Sequence, residues 1–115
     1  MIKNKLQLKK TLKENMRGGN GIVELTELVD PAELNGHGRL FSTITLRPGC
    51  SIGWHVHEGE SEIFAVVSGT GVYNDNGKEV AISEGFVTVV RSGEGHAVSC
   101  LGPRDLVLTA LIINA

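Results

Sequence analysis

The chain has 115 residues, of which 41% are hydrophobic and 21% charged, and its formal net charge is −2. This size supports one domain with a single hydrophobic core, and no apolar run approaches the roughly 18 residues of a membrane-spanning helix. The 15 glycines are about twice the usual share and favour many tight turns between short strands. Two cysteines do not make a disulfide framework, so we expect free thiols.

The N-terminal segment is basic and the rest of the chain is acidic. Residues 1–17 carry six basic side chains and one acidic side chain. We predict an N-terminal arm over residues 1–21 and a single barrel domain over residues 22–115. No basic, aromatic-lined surface follows, so an arm that packs on an acidic neighbour is favoured over nucleic-acid binding. We also expect a cytoplasmic protein with no membrane contact, because lysines interrupt the position of a signal-peptide apolar core.

The arm has two open interpretations. Its apolar residues allow a short amphipathic helix, although their spacing is imperfect: Ile2, Leu6, Leu12 and Met16. Alternatively, the arm adds a strand to the sheet of a second copy, in a homodimer. The glycine-rich stretch 18–21 indicates a flexible break between arm and barrel.

Short apolar segments with alternating polarity predict β-strands along the remaining chain. The predicted strands cover 22–29, 39–46, 62–67, 72–75, 78–82, 86–90, 96–100 and 106–113, and a further strand carries His55 and His57. Asp30 and Pro31 indicate one helical turn between the first two, with Asp30 as N-cap. Asn76-Gly77 is the strongest hairpin signal, because both residues tolerate positive φ. Many short strands at near-even spacing favour an all-β jelly-roll barrel.

Three histidines and a glutamate have a spacing that suits a metal site in such a barrel. Side chains along a strand alternate, so His55 and His57 point to the same side, roughly 7 Å apart. Glu62 begins the next apolar strand after a polar turn, and a hairpin there returns it beside the two imidazoles. His96 comes from a distant strand. Imidazole and carboxylate together bind divalent first-row metals.

These residues also carry a resemblance to a known family. The first cupin motif consists of glycine, five residues, His-x-His, four residues, glutamate, six residues and glycine. This chain matches it at Gly49, His55, His57, Glu62 and Gly69. The second motif is matched in part by Gly85, Gly93 and His96. Arg91 stands where proline is usual and Cys100 where asparagine is usual. The chain therefore resembles a small, single-domain microbial cupin, which implies a double-stranded β-helix that binds a metal through His55, His57, Glu62 and His96.

The resemblance implies a range of functions. We favour a metal-dependent enzyme, of the dioxygenase or decarboxylase type, that acts on a small carboxylate or oxygenated molecule. A non-catalytic binding or sensor protein and a sugar isomerase are the alternatives, and the few scattered arginines disfavour the isomerase. The cofactor is a divalent ion of manganese, iron, nickel, cobalt, copper or zinc. Ligand chemistry does not choose among them.

The residues around the metal are harder to assign. Tyr73 and Arg91 are the candidates for catalytic groups, as a possible inward acid or base and an anion anchor. Glu58 and Glu60 are interpreted as solvated turn residues, with a place at the pocket mouth as the alternative. Trp54 is expected to face away from His55, toward packing or a dimer contact.

Overall fold

The computed structural model describes residues 1–115 as two antiparallel β-sheets facing each other. The strands are β1 (Lys10–Glu14), β2 (Ile22–Glu27), β3 (Gly38–Leu46), β4 (Ser51–Val56), β5 (Glu60–Ser68), β6 (Thr70–Asp75), β7 (Lys78–Ser83), β8 (Val87–Val90), β9 (Gly95–Cys100) and β10 (Leu106–Asn114). One sheet has the order β1-β2-β3-β10-β5-β8 and the other the order β4-β9-β6-β7. The predicted all-β jelly-roll is therefore confirmed.

The core lies between the sheets because alternate residues of each strand point inward. On β10, the inward side chains are Leu106, Leu108, Ala110 and Ile112, all at most 3% exposed. They face apolar residues of the second sheet such as Val98. Cys100 is buried in this core, and Cys50 packs against it as a free thiol.

Part of the basic N-terminal segment is a strand of the barrel. β1 pairs antiparallel with β2 and forms the edge of the six-stranded sheet, with Leu12 opposite Glu24. The amphipathic helix allowed by the sequence is wrong, since Leu12 lies in this strand. The interpretation as an arm on an acidic neighbour agrees with two ion pairs, Lys3 with Glu33 and Lys10 with Glu24.

Residues 18–21, which the sequence predicts to be flexible, instead contact β4. Residues Met16–Gly18 form a tight turn in which Arg17 has left-handed backbone angles, and Gly19 and Gly53 lie back to back where the turn meets the strand. A Cβ on Gly53 would lie 2.1 Å from the Arg17 carbonyl oxygen, so only glycine permits this approach. Asn20 and Ser51 also exchange hydrogen bonds. The segment is therefore held two residues before His55.

Two local predictions are confirmed. Residues Pro31–Leu34 form a 3₁₀ turn, and the Asp30 side chain accepts a hydrogen bond from the Ala32 backbone as its N-cap. Asn76 and Gly77 have φ of 49° and 107° and connect β6 to β7, as the hairpin signal requires. No helix in the structure has the length and apolarity needed to cross a membrane.

Candidate metal centre

The four side chains singled out by their spacing meet inside the barrel. One ligand atom from each of His55, His57, Glu62 and His96 lies within 4.8 Å of the others. His57, Glu62 and His96 are at most 5% exposed, and His55 is partly exposed. Polar groups buried as deeply as these three require hydrogen-bond partners or an ion.

Strand pairing places these side chains together. His55 on β4 is directly opposite His96 on β9, so their imidazoles are cross-strand neighbours in one sheet. Glu62 lies near the start of β5 in the other sheet, opposite Ile112 of β10, and its side chain points inward. The pairing of β4 with β9 contains an irregularity between Ile52 and His55. Such bulges redirect side chains and are common beside functional sites.

Each histidine has a hydrogen-bond partner at its Nδ1 atom. His55 Nδ1 lies 2.8 Å from the Gly53 carbonyl oxygen, and His57 Nδ1 lies 3.0 Å from Glu60 Oε1. A carbonyl and a carboxylate only accept, so these two rings carry a proton on Nδ1, and their Nε2 atoms bind either a metal or a second proton. His96 Nδ1 lies 2.8 Å from the phenol oxygen of Tyr73, which can donate or accept.

The three Nε2 atoms then point at one another and at Glu62. The Nε2 atom of His96 lies 3.1 Å from that of His57 and 3.2 Å from that of His55, and Glu62 Oε1 lies 3.1 Å from both His57 and His96. Lone pairs at these separations repel unless protons or a metal ion lie between them. Two ligands at about 2.1 Å from a metal and at right angles are about 3.0 Å apart, so the spacing fits a shared divalent ion with open positions.

For His55 and Glu62, the local electrostatics favour the protonation state that binds a metal. Burial lowers the pKa of His55, which keeps its imidazole neutral. Burial raises the pKa of Glu62, but hydrogen bonds from His57 and His96 outweigh it, so its pKa lies below the usual value and the group is a carboxylate. The hydrogen bond to Glu62 raises the pKa of His57, so a proton competes with a metal there.

A small cavity of about 60 Å³ adjoins three of the four residues and is mostly apolar elsewhere. Its lining is Met16, Arg17, Leu25, Arg39, Leu40, Ile44, Ile52, His55, His57, Glu62, Phe64 and Ile112. Glu62 is the only carboxylate among these residues. The space directly beside the cluster suits a small ligand.

The structure places the two catalytic candidates outside this cavity. Tyr73 is buried behind His96, and burial raises the pKa of its phenol to about 12, so it remains a neutral hydrogen-bond partner. Arg91 is exposed in the turn after β8, where its backbone binds Glu94. Catalytic roles for both residues stay predictions.

Glu60 is a functional residue that the sequence interpretation undervalued. It accepts from His57 and forms two 2.8 Å hydrogen bonds with the Arg39 guanidinium, which lowers the pKa of its carboxyl to about 2. It is thus a permanent acceptor behind His57, whereas neighbouring Glu58 is exposed, as expected. Trp54 faces outward and is 48% exposed, also as expected.

Comparison with known proteins agrees with this geometry. The sequence profile of the cupin domain matches residues 42–113, more than half of the chain. The chain belongs to the cupin family. An oxalate-binding protein of Thermotoga maritima is 46% identical over 99 residues, covering 86% of this chain and 82% of that protein.

Solved structures give the same fold. A crystal structure from Thermotoga maritima, described as a predicted oxalate decarboxylase, superposes with a TM-score of 0.95 at 40% identity and 100% coverage of both chains. The structure of KdgF from Halomonas sp. superposes with a TM-score of 0.66 at 17% identity, covering 91% of this chain and 87% of that one. At that identity the likeness concerns the cupin fold alone.

Proposed function

We propose that this cupin binds a small dicarboxylate, with oxalate as the first candidate, on a divalent metal held by His55, His57, Glu62 and His96. The observation that carries the proposal is the small cavity directly beside the buried cluster, because it suits a ligand of a few heavy atoms at the metal. Carboxylates are hard oxygen donors that bind the open positions of such a metal. The names of the two Thermotoga maritima relatives support oxalate in particular.

The cavity also ranks the alternative functions. A sugar needs more room at the metal than the space of about 60 Å³ directly beside the cluster, so the isomerase ranks below a function on a small acid. A decarboxylase must protonate the carbon left behind, and the only carboxylate lining the cavity, Glu62, is occupied as a ligand candidate. Ligand binding is therefore our first function. Oxygen-dependent cleavage to two molecules of carbon dioxide, in which oxygen takes up two electrons from oxalate and two protons from solvent as hydrogen peroxide and no carbon is protonated, is the second.

Calorimetry with oxalate tests this proposal. We expect binding to protein loaded with Mn²⁺ and none to protein stripped of metal. His96→Ala is the negative variant and His37→Ala the matched control, because His37 is the fourth histidine and is exposed in a loop. Equal oxalate binding with and without metal would contradict the proposal. Assays of oxygen uptake and of carbon dioxide on the same samples decide whether catalysis follows binding.

We further propose a homodimer formed by the outer face of the six-stranded sheet. Phe41, Leu111, Ile63 and Val89 form one row of outward apolar side chains across β3, β10, β5 and β8. Val67, Val87 and Val89 are 47–63% exposed. Three of these strands have nine residues and β8 has four, so their outer face covers roughly 500 Å², compared with roughly 800 Å² per partner in stable interfaces.

Sedimentation of a concentration series tests the dimer. We expect Leu111→Glu to give monomers, because it places a charge in the middle of the apolar row. Ala81→Glu, on the exposed outer face of β7, is the control and should leave the dimer unchanged. A wild-type chain that is monomeric at about 100 μM would overturn the proposal.

A further inference from the structure

The basic N-terminal segment lies at the mouth of the metal cavity. A second, wider depression of about 630 Å³ adjoins the cavity and shares five lining residues with it: Met16, Arg17, Leu25, Arg39 and Leu40. Its remaining lining comes from the end of the arm and from β1, β2 and β3: Lys9, Thr11, Lys13, Glu14, Asn15, Glu27 and Ser42. The wider depression is therefore the approach to the narrow cavity.

Strand pairing directs the lysines toward this approach. Thr11 is opposite Leu25 and Lys13 is opposite Val23, and both partners are buried on the inner face. Directly opposed residues share a face of the sheet, so Lys13 points to the inner side of β1. By the period of two, Lys9 lies on that side as well. The inner face of β1 is thus cationic where other strands are apolar.

Three of the four cations at the approach have no partner within the chain. Arg39 is paired with Glu60 through two hydrogen bonds. Lys9, Lys13 and Arg17 form no ion pair, whereas Lys3 and Lys10 on the same segment do. Glu14 and Glu27 are the only acidic residues in this lining. An excess of unpaired positive charge therefore surrounds the route to the metal.

Arg17 lies where the cavity and its approach meet. It lines both the cavity and its approach, in the turn fastened to β4 beside the metal ligands. Its backbone has a φ of 53° and a ψ of 31°, a left-handed conformation that is unfavourable for a side-chain-bearing residue. Strained conformations of this kind persist where the surrounding contacts fix them, and they concentrate at functional sites. The turn thus fixes the backbone of Arg17 beside the cavity.

We propose that Lys9, Lys13 and Arg17 form a basic entrance that selects dianions, and that Arg17 binds the carboxylate remote from the metal. This inference rests on the proposed function and defines the charge of its ligand. A planar guanidinium matches a carboxylate through two parallel hydrogen bonds. The lysines, farther out, raise the local concentration of an approaching anion without touching it in the bound state.

The test measures binding of oxalate and formate to Mn²⁺-loaded protein by calorimetry and stopped flow. For Arg17→Gln we expect the affinity for oxalate to fall on the order of 10- to 100-fold, and the affinity for formate, a monoanion, to change less than about 2-fold because the metal alone holds it. Arg104→Gln, exposed outside both linings, is the control and should match wild type. Manganese content measured on each sample should be equal.

Removal of the two lysines should slow the association of oxalate. For the double variant Lys9→Gln/Lys13→Gln we expect the association rate of oxalate to fall roughly 3- to 10-fold at low salt, with the difference removed at high salt. Lys78→Gln, on the far hairpin, should leave the rate unchanged. Oxalate binding that Arg17→Gln does not weaken would overturn the entrance and leave the proposed function intact. A wild-type chain that binds formate but no oxalate would overturn both.

Discussion

The two ends of the barrel interior use the same strands for different purposes. At one end, inward positions hold His55 on β4, Glu62 on β5 and His96 on β9. At the other end, the same strands present apolar side chains, such as Val66 and Cys100, to Leu106 and Leu108 of β10. The change occurs within one or two inward positions, for instance from Glu62 to Phe64. Stability and chemistry are thus separated along each strand.

Removal of one metal ligand at the polar end should have the largest effect on metal affinity. For His96→Ala we expect metal affinity to fall on the order of 100- to 1000-fold, because four ligands share a binding free energy of roughly 10–16 kcal/mol. Elemental analysis after dialysis measures the loss. His37→Ala is the control, and full manganese occupancy in His96→Ala would remove His96 from the ligand set.

Loss of a core side chain should break the apolar end and spare the metal. Leu108 is fully buried between Ile44 and Val66 of the neighbouring strands. We expect Leu108→Ala to lower the free energy of unfolding by about 3 kcal/mol, measured by urea denaturation, with stoichiometric metal retained. Leu101→Ala, at a position 60% exposed, should change it little. Metal loss in folded Leu108→Ala would show that the two ends are coupled.

The acceptor behind His57 should matter less than a ligand. Glu60→Gln keeps the shape of the side chain but removes the charge that holds the Nδ1 proton. We expect metal affinity to fall roughly 10- to 100-fold, as for other partners of ligand histidines. The exposed neighbour supplies a matched variant, Glu58→Gln, which should bind metal like wild type. Equal affinities in the two variants would contradict a role for Glu60.

The phenol behind His96 should have the smallest effect. Tyr73→Phe removes one neutral hydrogen bond and keeps the ring packing against Phe64 and His96. A hydrogen bond of this kind contributes about 0.5–1.5 kcal/mol, so we expect metal affinity to fall roughly 2- to 12-fold. Competition with a chelator measures it. A complete loss of metal would mean that Tyr73 has a more direct part than its position suggests.

The sequence predicted the ligands better than their supports. Period-two alternation and the hairpin before Glu62 suffice to bring three ligands together, and the motif resemblance supplied His96. Tyr73 was recognised only as an inward residue, because its contact with His96 depends on the pairing of β6 with β9. The bonds of Glu60 to His57 and Arg39 depend on where β5 begins, which a polar turn sequence does not specify.

The missed strand has a physical explanation as well. β1 lacks the alternation of a half-buried strand because its inner side carries Lys9, Thr11 and Lys13 at an open mouth rather than apolar residues over the core. The glycines of residues 18–21 were interpreted as flexibility, whereas Gly19 allows the close approach of two backbones. The choice of metal and the cytoplasmic location stay predictions.

Anomalous scattering from crystals of the Mn²⁺-loaded protein tests the central claim most directly. The account requires one strong peak per chain, about 2.0–2.2 Å from the Nε2 atoms of His55, His57 and His96 and from a carboxylate oxygen of Glu62. A fully occupied ion bound by other side chains, or no peak among these four, would contradict it.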